Sequence, residues 1–305
     1  MTSLHSGNGL AVKRRIVEIG DFQNYVFDAY RKRLPEWPEA KRLIQLAAEA
    51  LLREVEEFKA PISPAAIAPL LRIKWQIAAR TDSRLDGSLT PEGSYFRAVV
   101  FVDDQRFSGL SRRARFTFAH ECGHTLFFDL DSRTLNRIIP VGLPSNRGSD
   151  LESIDRREEG LCYDFARALL LPTELLRDLD TERSLGHLFR SCKSFDVSEE
   201  VIIRRLMYDL DRMENSIVVK IETPLTAGAI RVFNGRLAAH NQRQTAAVRR
   251  GVEAFRSIDD VGRLAEQVAS DLGLTADAPY LAGATAWLRW RFRRSAGRQQ
   301  KGAST

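Results

Sequence analysis

An α+β architecture is expected for this chain: a mostly helical region with a small sheet over residues 37–212, then a smaller α+β region over residues 213–295. Three observations predict it. Apolar residues recur at helical spacing over residues 39–58, 111–130 and 153–171. Two short runs rich in β-branched and aromatic residues, 73–79 and 98–102, fall between the first and second of these. From Ser216 the pattern changes to strand-like runs flanking a long helical stretch. A length of 305 residues leaves room for two domains, with residues 1–36 as an N-terminal arm and 296–305 as a disordered tail.

Taken in order, a short helix near residues 22–33 stops before Pro35, and Leu43, Leu46, Ala47, Ala50, Leu51 and Val55 mark the helix that ends before Pro61. Pro64 suits the first turn of a short helix through Leu71. The stretch between the two strand runs, residues 80–93, is polar and contains Gly, so it is read as a turn region. A helix opening at Ser111 loses its pattern after Leu130. Residues 131–150, with two Pro and two Gly, read as an exposed connection long enough to frame a cleft. The next helix is stopped by Pro172, with Thr173 as a cap for a following one, and Ser198 caps a helix running to Met213. Beyond it, residues 217–221 and 229–233 look like strands, and Asn234-Gly235 is a type I′ hairpin signal. A helix over 246–272 follows. An alternating segment, in which Leu288, Trp290 and Phe292 face one way and Arg289, Arg291 and Arg293 the other, completes the region.

Composition excludes several classes. With 44% apolar and 28% charged residues the chain is neither a disordered nor a membrane protein by type. No apolar region precedes Lys13-Arg14-Arg15 and no stretch reaches about 18 apolar residues, so a cytoplasmic protein without a membrane partner is expected. Three cysteines, Cys122, Cys162 and Cys192, read as free thiols rather than a disulfide framework. The net charge of +6 is spread over many Arg, which describes a solvated basic surface better than a nucleic-acid site.

The chemistry concentrates at His120-Glu121-Cys122-Gly123-His124. Residues four apart on a helix share a face, so His120 and His124 can direct two imidazole nitrogens at one metal ion, and zinc is the expected metal with Mn2+ as an activating alternative. Glu121 borders that face and can act as general base toward a water. Gly123 allows close approach of substrate or a neighbouring helix. Phe116, Phe118, Ala119, Leu126 and Phe127 surround the pair with apolar side chains, which argues against two surface histidines.

A third ligand is required. A metzincin continuation would need Gly at position 127 and His at position 130, but Phe127 and Leu130 stand there. Asp129, Asp131, Glu152, Glu158, Glu159 and His187 remain. Asp129 and Asp131 follow His124 too closely to fold back and read as helix-end residues. Glu159 is best placed, because it heads a helix with a wide apolar face (Leu161, Cys162, Phe165, Ala166, Leu169, Leu170) that must pack on something, and the motif helix offers the surface. Glu158 is the alternative.

These residues resemble the ImmA/IrrE family of metallopeptidases. The resemblance rests on Arg115-Phe-Thr-Phe-Ala-His-Glu-Cys-Gly-His124, on Glu159 with Phe165-Ala-Arg-Ala-Leu-Leu-Leu-Pro172, and on Phe195-Asp-Val-Ser198 followed by Arg204-Arg205-Leu206. It covers about residues 40–212. It implies a gluzincin-like, mostly helical peptidase domain in which His120, His124 and Glu159 bind zinc and Glu121 activates water. It further implies that the substrate is a helix-turn-helix transcriptional repressor, cleaved to relieve repression after stress or a signal. Where the family commonly has Asn four residues after the third ligand, this chain has Tyr163 followed by Asp164, which leaves the orienting of a ligand His to one of these two or to nothing. Tyr163 and His187 are candidates for stabilising the oxyanion. Some members carry a GAF-like sensory domain after the peptidase, and the element order of residues 213–295 is compatible with that.

Two other functions fit parts of the sequence. One is a DNA-binding regulator with a structural zinc, using Arg112, Arg113 and Arg115 or Arg289 to Arg294 on phosphates. It is disfavoured because Arg115 lies inside the motif helix and no helix-turn-helix signature precedes residue 100. The other is a protease-like module that holds a repressor without cutting it, for which Tyr163 is the hint.

Overall fold

The structure, a computed structural model, describes residues 16–34, 36–56, 58–82, 86–103, 110–139, 148–222, 230–236, 242–253 and 261–292, with 148–153 and 253 described by backbone alone. The chain divides into two units, Met1–Phe58 with Ser63–Leu169 and Lys59–Ile62 with Leu170–Thr305. The architecture is α+β, as expected, with eight α-helices and two sheets among the described residues.

In the first unit, α1 (Val17–Arg31) and α2 (Ala40–Glu54) bury matching stripes, Phe22, Val26 and Ala29 against Ile44, Ala47, Leu51 and Leu52. The second helix is shorter than the periodicity predicts because the backbone turns left-handed at Glu56, with φ 54°. A three-stranded sheet has the order β1-β3-β2, where β1 is Ile73–Ala79, β2 Gly87–Glu92 and β3 Tyr95–Val102. The first strand runs parallel to β3 and the second antiparallel to it. The second strand corrects the reading of residues 80–93 as a turn region. Gly87 and Pro91 are poor strand formers, but β2 pairs only with β3 among the described strands, and a sheet edge tolerates them.

Ser111 Oγ accepts from the Ala114 amide and starts α3 (Arg112–His124). The helix ends six residues before the predicted Leu130. A 3-10 turn follows at Thr125–Phe127 and Phe128 is extended. Gln23 Nε2 donates to the Leu126 and Phe128 carbonyls at 3.2 and 2.8 Å, and Phe128 pairs with Arg137 in an isolated bridge, so the helix end finds partners outside the helix. The expected exposed connection is partly packed: Leu135 and Ile139 are buried, and residues 140–147 lie outside the described set. The fourth helix, α4 (Gly148–Leu170), buries Phe165, Ala166 and Leu169.

In the second unit, Ser184 and Ser198 cap α5 (Leu185–Ser191) and α6 (Glu199–Arg204). The chain then passes into a π turn over Arg205–Asp209 instead of continuing as α-helix to Met213. Arg205 is fully buried there. Its Nε donates to the Leu171 carbonyl at 3.0 Å and its Nη2 to Thr173 Oγ1 at 3.1 Å.

The second sheet is antiparallel, in the order β5-β4-β8-β6 with β7 also on β8. Its strands are β4 (Ser216–Glu222), β5 (Ile230–Asn234), β6 (Thr275–Ala276), β7 (Tyr280–Ala282) and β8 (Thr285–Arg291). One face, with Ile217, Val219, Leu288 and Trp290, packs on α7 (Gln242–Glu253) and α8 (Val261–Leu272) through Val248, Val252, Leu264 and Val268. Residues 254–260, in the middle of the expected single helix, lie outside the described set.

One sequence reading changes in this unit. Asn234 and Gly235 lack the positive φ of a type I′ turn; Asn234 ends β5, and the Gly235 amide donates to the Ser216 carbonyl at 2.9 Å. Of the expected second arm, Arg236-Leu237-Ala238, Leu237 and Ala238 lie outside the described set. Arg289, on the face opposite Leu288 and Trp290, is buried as well, because both faces of β8 are covered. On the Arg289 side Trp287 packs against Phe189 and Phe233, and Arg289 itself meets Asp277.

Candidate metal centre

Three side chains of the first unit converge on one point. His120 and His124 stand one turn apart on α3, and Glu159 reaches them from α4. His120 Nε2 lies 3.2 Å from His124 Nε2 and 3.1 Å from Glu159 Oε2, while His124 Nε2 is 3.4 Å from Glu159 Oε1. These three residues could hold a metal ion, one ligand atom from each, all within 4.8 Å of one another.

The donor chemistry fits a cation. His124 Nδ1 lies 2.9 Å from Glu158 Oε1, and a carboxylate can only accept, so Nδ1 carries the proton and the Nε2 lone pair points inward. There it meets a second imidazole nitrogen, whose proton depends on the tautomer, and a second carboxylate, which only accepts. The electrostatics agree. Burial disfavours a charged His124, but the hydrogen bond to Glu158 and the charges of Glu121, Glu158 and Glu159 prevail and hold its pKa above the ordinary imidazole value. The hydrogen bond to His120 holds the Glu159 carboxyl below its ordinary value against the opposing effect of burial. The pocket therefore favours positive charge at the point where the three ligand atoms meet.

The approach of α3 to its neighbours sets this geometry. A Cβ on Gly123 would lie 3.1 Å from Cys162 Cα and 3.2 Å from its Cβ, so the glycine lets α4 come close enough to bring Glu158 and Glu159 beside the histidines. On the sheet side, a Cβ on Gly87 would lie 2.6 Å from Thr117 Cγ2 and 2.7 Å from Glu121 Oε1. The second strand thus lies directly over Glu121. Burial is the leading cause that lifts the Glu121 pKa above the usual carboxylate value, and the charge of Glu159 adds to it, while His124 and His120 pull the other way.

Glu158 and Glu159 straddle His124. Consecutive helical residues point about 100° apart, which sends Glu159 to the Nε2 side and Glu158 to the Nδ1 side. Glu158 is buried, and its Oε2 is ion-paired with Arg137. Arg137 in turn lies over the Phe128 ring at 5.1 Å. His120 is held differently: its buried Nδ1 has no hydrogen-bond partner among the described residues, and its ring packs 4.4 Å from the Tyr163 ring, which stacks on Phe116.

The other candidates are placed as follows. Tyr163 is 48% exposed beside His120, and Asp164 is ion-paired with Arg167. Asp129 Oδ1 accepts from the Asp131 and Ser132 amides at 3.0 and 3.2 Å and closes the turn after α3. The Glu152 side chain lies outside the described set. His187 belongs to the second unit, on α5, with Nε2 3.4 Å from Ser191 Oγ. All three cysteines are buried free thiols; burial pushes Cys122 and Cys162 up and Cys192 up to about 11, which marks packing residues rather than nucleophiles. Sequence reasoning missed Arg137 and Gly87. Nothing in the local sequence signals either, since their partners lie 21 and 34 residues away.

No family profile and no curated protein matches the sequence. Among solved structures the chain is similar to a Mycobacterium tuberculosis transcriptional regulator, with 16% identity and a TM-score of 0.39 over 68% of this chain. The match spans 57% of that protein, a little over half its length.

Proposed function

We propose that this chain is a zinc-dependent endopeptidase of the ImmA/IrrE kind that cleaves a helix-turn-helix transcriptional repressor in the cytoplasm and so relieves repression after stress or another signal. The observation that carries the proposal is the combination of a convergent His120, His124 and Glu159 group with a separate buried carboxylate, Glu121, next to it. A purely structural metal site has no use for a fourth, unligated acid. Two imidazoles and one carboxylate suit zinc, which in catalytic sites keeps a position open, and Mn2+ is the alternative activating metal. The sequence likeness described above supports the substrate class.

When bound, the metal would polarise the scissile carbonyl and lower the pKa of a water. Glu121, with its pKa raised by burial under β2, is suited to take a proton from the attacking water and return it to the leaving amine. Attack by water leaves no covalent intermediate, in keeping with thiols that are buried and protonated. Tyr163, exposed and against the His120 ring, is the proposed donor to the developing oxyanion. The nucleic-acid reading is weakened by the burial of Arg115 and Arg289; Arg293 and Arg294 lie outside the described set. No helix among the described residues is long and apolar enough to cross a membrane.

The test is incubation of the chain with zinc or manganese and any helix-turn-helix repressor that an adjacent gene encodes, followed by mass analysis of the products. A single cut is expected with the native chain. Glu121→Gln is expected to retain its metal and to cleave at least about 100-fold more slowly. Cleavage by that variant at the native rate would sink the assignment.

A further inference from the structure

We infer that Glu158, clamped by Arg137, is the positioning residue that fixes the tautomer and orientation of His124, and is not itself a metal ligand. The inference deepens the metal reading above and rests on it. Glu158 Oε1 is 2.9 Å from His124 Nδ1, on the opposite edge of the ring from the Nε2 that faces Glu159. Its second oxygen is taken by Arg137. The carboxylate thus has one oxygen on the imidazole and one on the guanidinium, and neither oxygen is directed to the point where Nε2 of both histidines and Glu159 meet.

The clamp is rigidly supported. Glu158 is 6% exposed, and Arg137 stands in a segment held at several points: Phe128 bridges to Arg137, the Ile138 amide donates to the Phe127 carbonyl at 2.9 Å, and the Asp129 amide donates to the Asn136 carbonyl at 2.9 Å. Phe128 is also held by Gln23, so α1, the turn after α3 and α4 all bear on one imidazole. His120 has no such partner on Nδ1 among the described residues and is oriented by ring packing. The two histidine ligands are therefore unequal: His124 is pre-set by charge and hydrogen bonding, His120 by shape. This places on the residue before the third ligand the orienting duty that the sequence left to Tyr163, to Asp164 or to nothing.

A His held with its proton on Nδ1 presents a ready Nε2 lone pair. Loss of such an outer partner lowers metal affinity by about 10- to 100-fold. The test uses the full chain labelled with 15N-histidine, in three forms: native, Glu158→Gln and Arg137→Gln. Metal-free, the His124 ring is read by long-range 1H–15N correlation, and zinc affinity is read by competition with a chromophoric chelator. The native chain is expected to show one tautomer, with the proton on Nδ1. Glu158→Gln is expected to show a tautomer mixture and to bind the same number of zinc ions about 10- to 100-fold more weakly. Arg137→Gln, at a partly exposed position less prone to unfold the chain, is expected to change both readings in the same direction by a smaller factor.

Native tautomer and affinity within twofold in both variants would overturn the positioning role. Complete loss of zinc in Glu158→Gln, with circular dichroism unchanged and Arg137→Gln like native, would make Glu158 a ligand and equally overturn it. Failure of the native chain to bind zinc would instead count against the metal reading on which the inference rests.

Discussion

Replacing Glu159 by Ala is expected to lower bound zinc from about one equivalent per chain to almost none, and to abolish cleavage with it. Glu159 is the carboxylate on the Nε2 side of both histidines, 3.1 and 3.4 Å from their ligand nitrogens. Its neighbour cannot take over, because Glu158 is held on the other side of His124 by Arg137. Two imidazoles alone are a poor zinc site, since a protein zinc site takes three or four ligands. Glu159 is half-exposed on a helix that is anchored elsewhere by Phe165, Ala166 and Leu169, so the substitution should leave the fold intact. Metal analysis after gel filtration, with circular dichroism as the folding control, decides the matter. Unchanged zinc content would mean that another group completes the site.

The largest stability effect is expected at Arg289. The guanidinium is fully buried in β8, where Nε donates to Asp277 Oδ2 at 2.6 Å and Nη1 to the Thr181 carbonyl at 2.7 Å, and Nη2 bonds the Arg183 carbonyl. One side chain thus neutralises a buried carboxylate and satisfies two main-chain carbonyls. Arg289→Met leaves Asp277 buried, with Arg291 as its remaining ion-pair partner among the described residues. Breaking one side of a buried pair costs about 3–5 kcal/mol, whereas replacing both partners costs far less. Arg289→Met should therefore lower the urea midpoint of the second unit sharply, and adding Asp277→Asn should recover part of the loss. Fluorescence reads this unit well, because Trp287 and Trp290 are both buried in its sheet. A midpoint unchanged by Arg289→Met would show the pair to be dispensable.

The legible and illegible parts of this chain differ in the distance over which the cause acts. His120, Glu121 and His124 were evident because helical spacing alone puts them together, and Glu159 because its helix carried a wide apolar face in need of a partner. The parallel pairing of β1 with β3 left no local trace. Nor did β2, whose Gly87 and Pro91 look like turn residues until the edge position and the closeness of Glu121 account for them. Alternation along β8 put Arg289 on the face opposite Leu288 and Trp290 but carried no sign that this face is covered too; Asp277, 12 residues earlier, meets it there. Arg137 was invisible for the same reason. Its role exists only once α4 has docked on α3, and that docking turns on the contact between Gly123 and Cys162.

The position of a bound metal tests the centre most directly. A crystal of the zinc-loaded chain, measured with anomalous scattering on both sides of the zinc edge, is expected to show a single strong peak within ligand distance of His120 Nε2, His124 Nε2 and a Glu159 oxygen, with Glu121 beside it and Glu158 still on His124 Nδ1. A peak held by Glu158 in place of Glu159, or no peak between the two histidines, would contradict it.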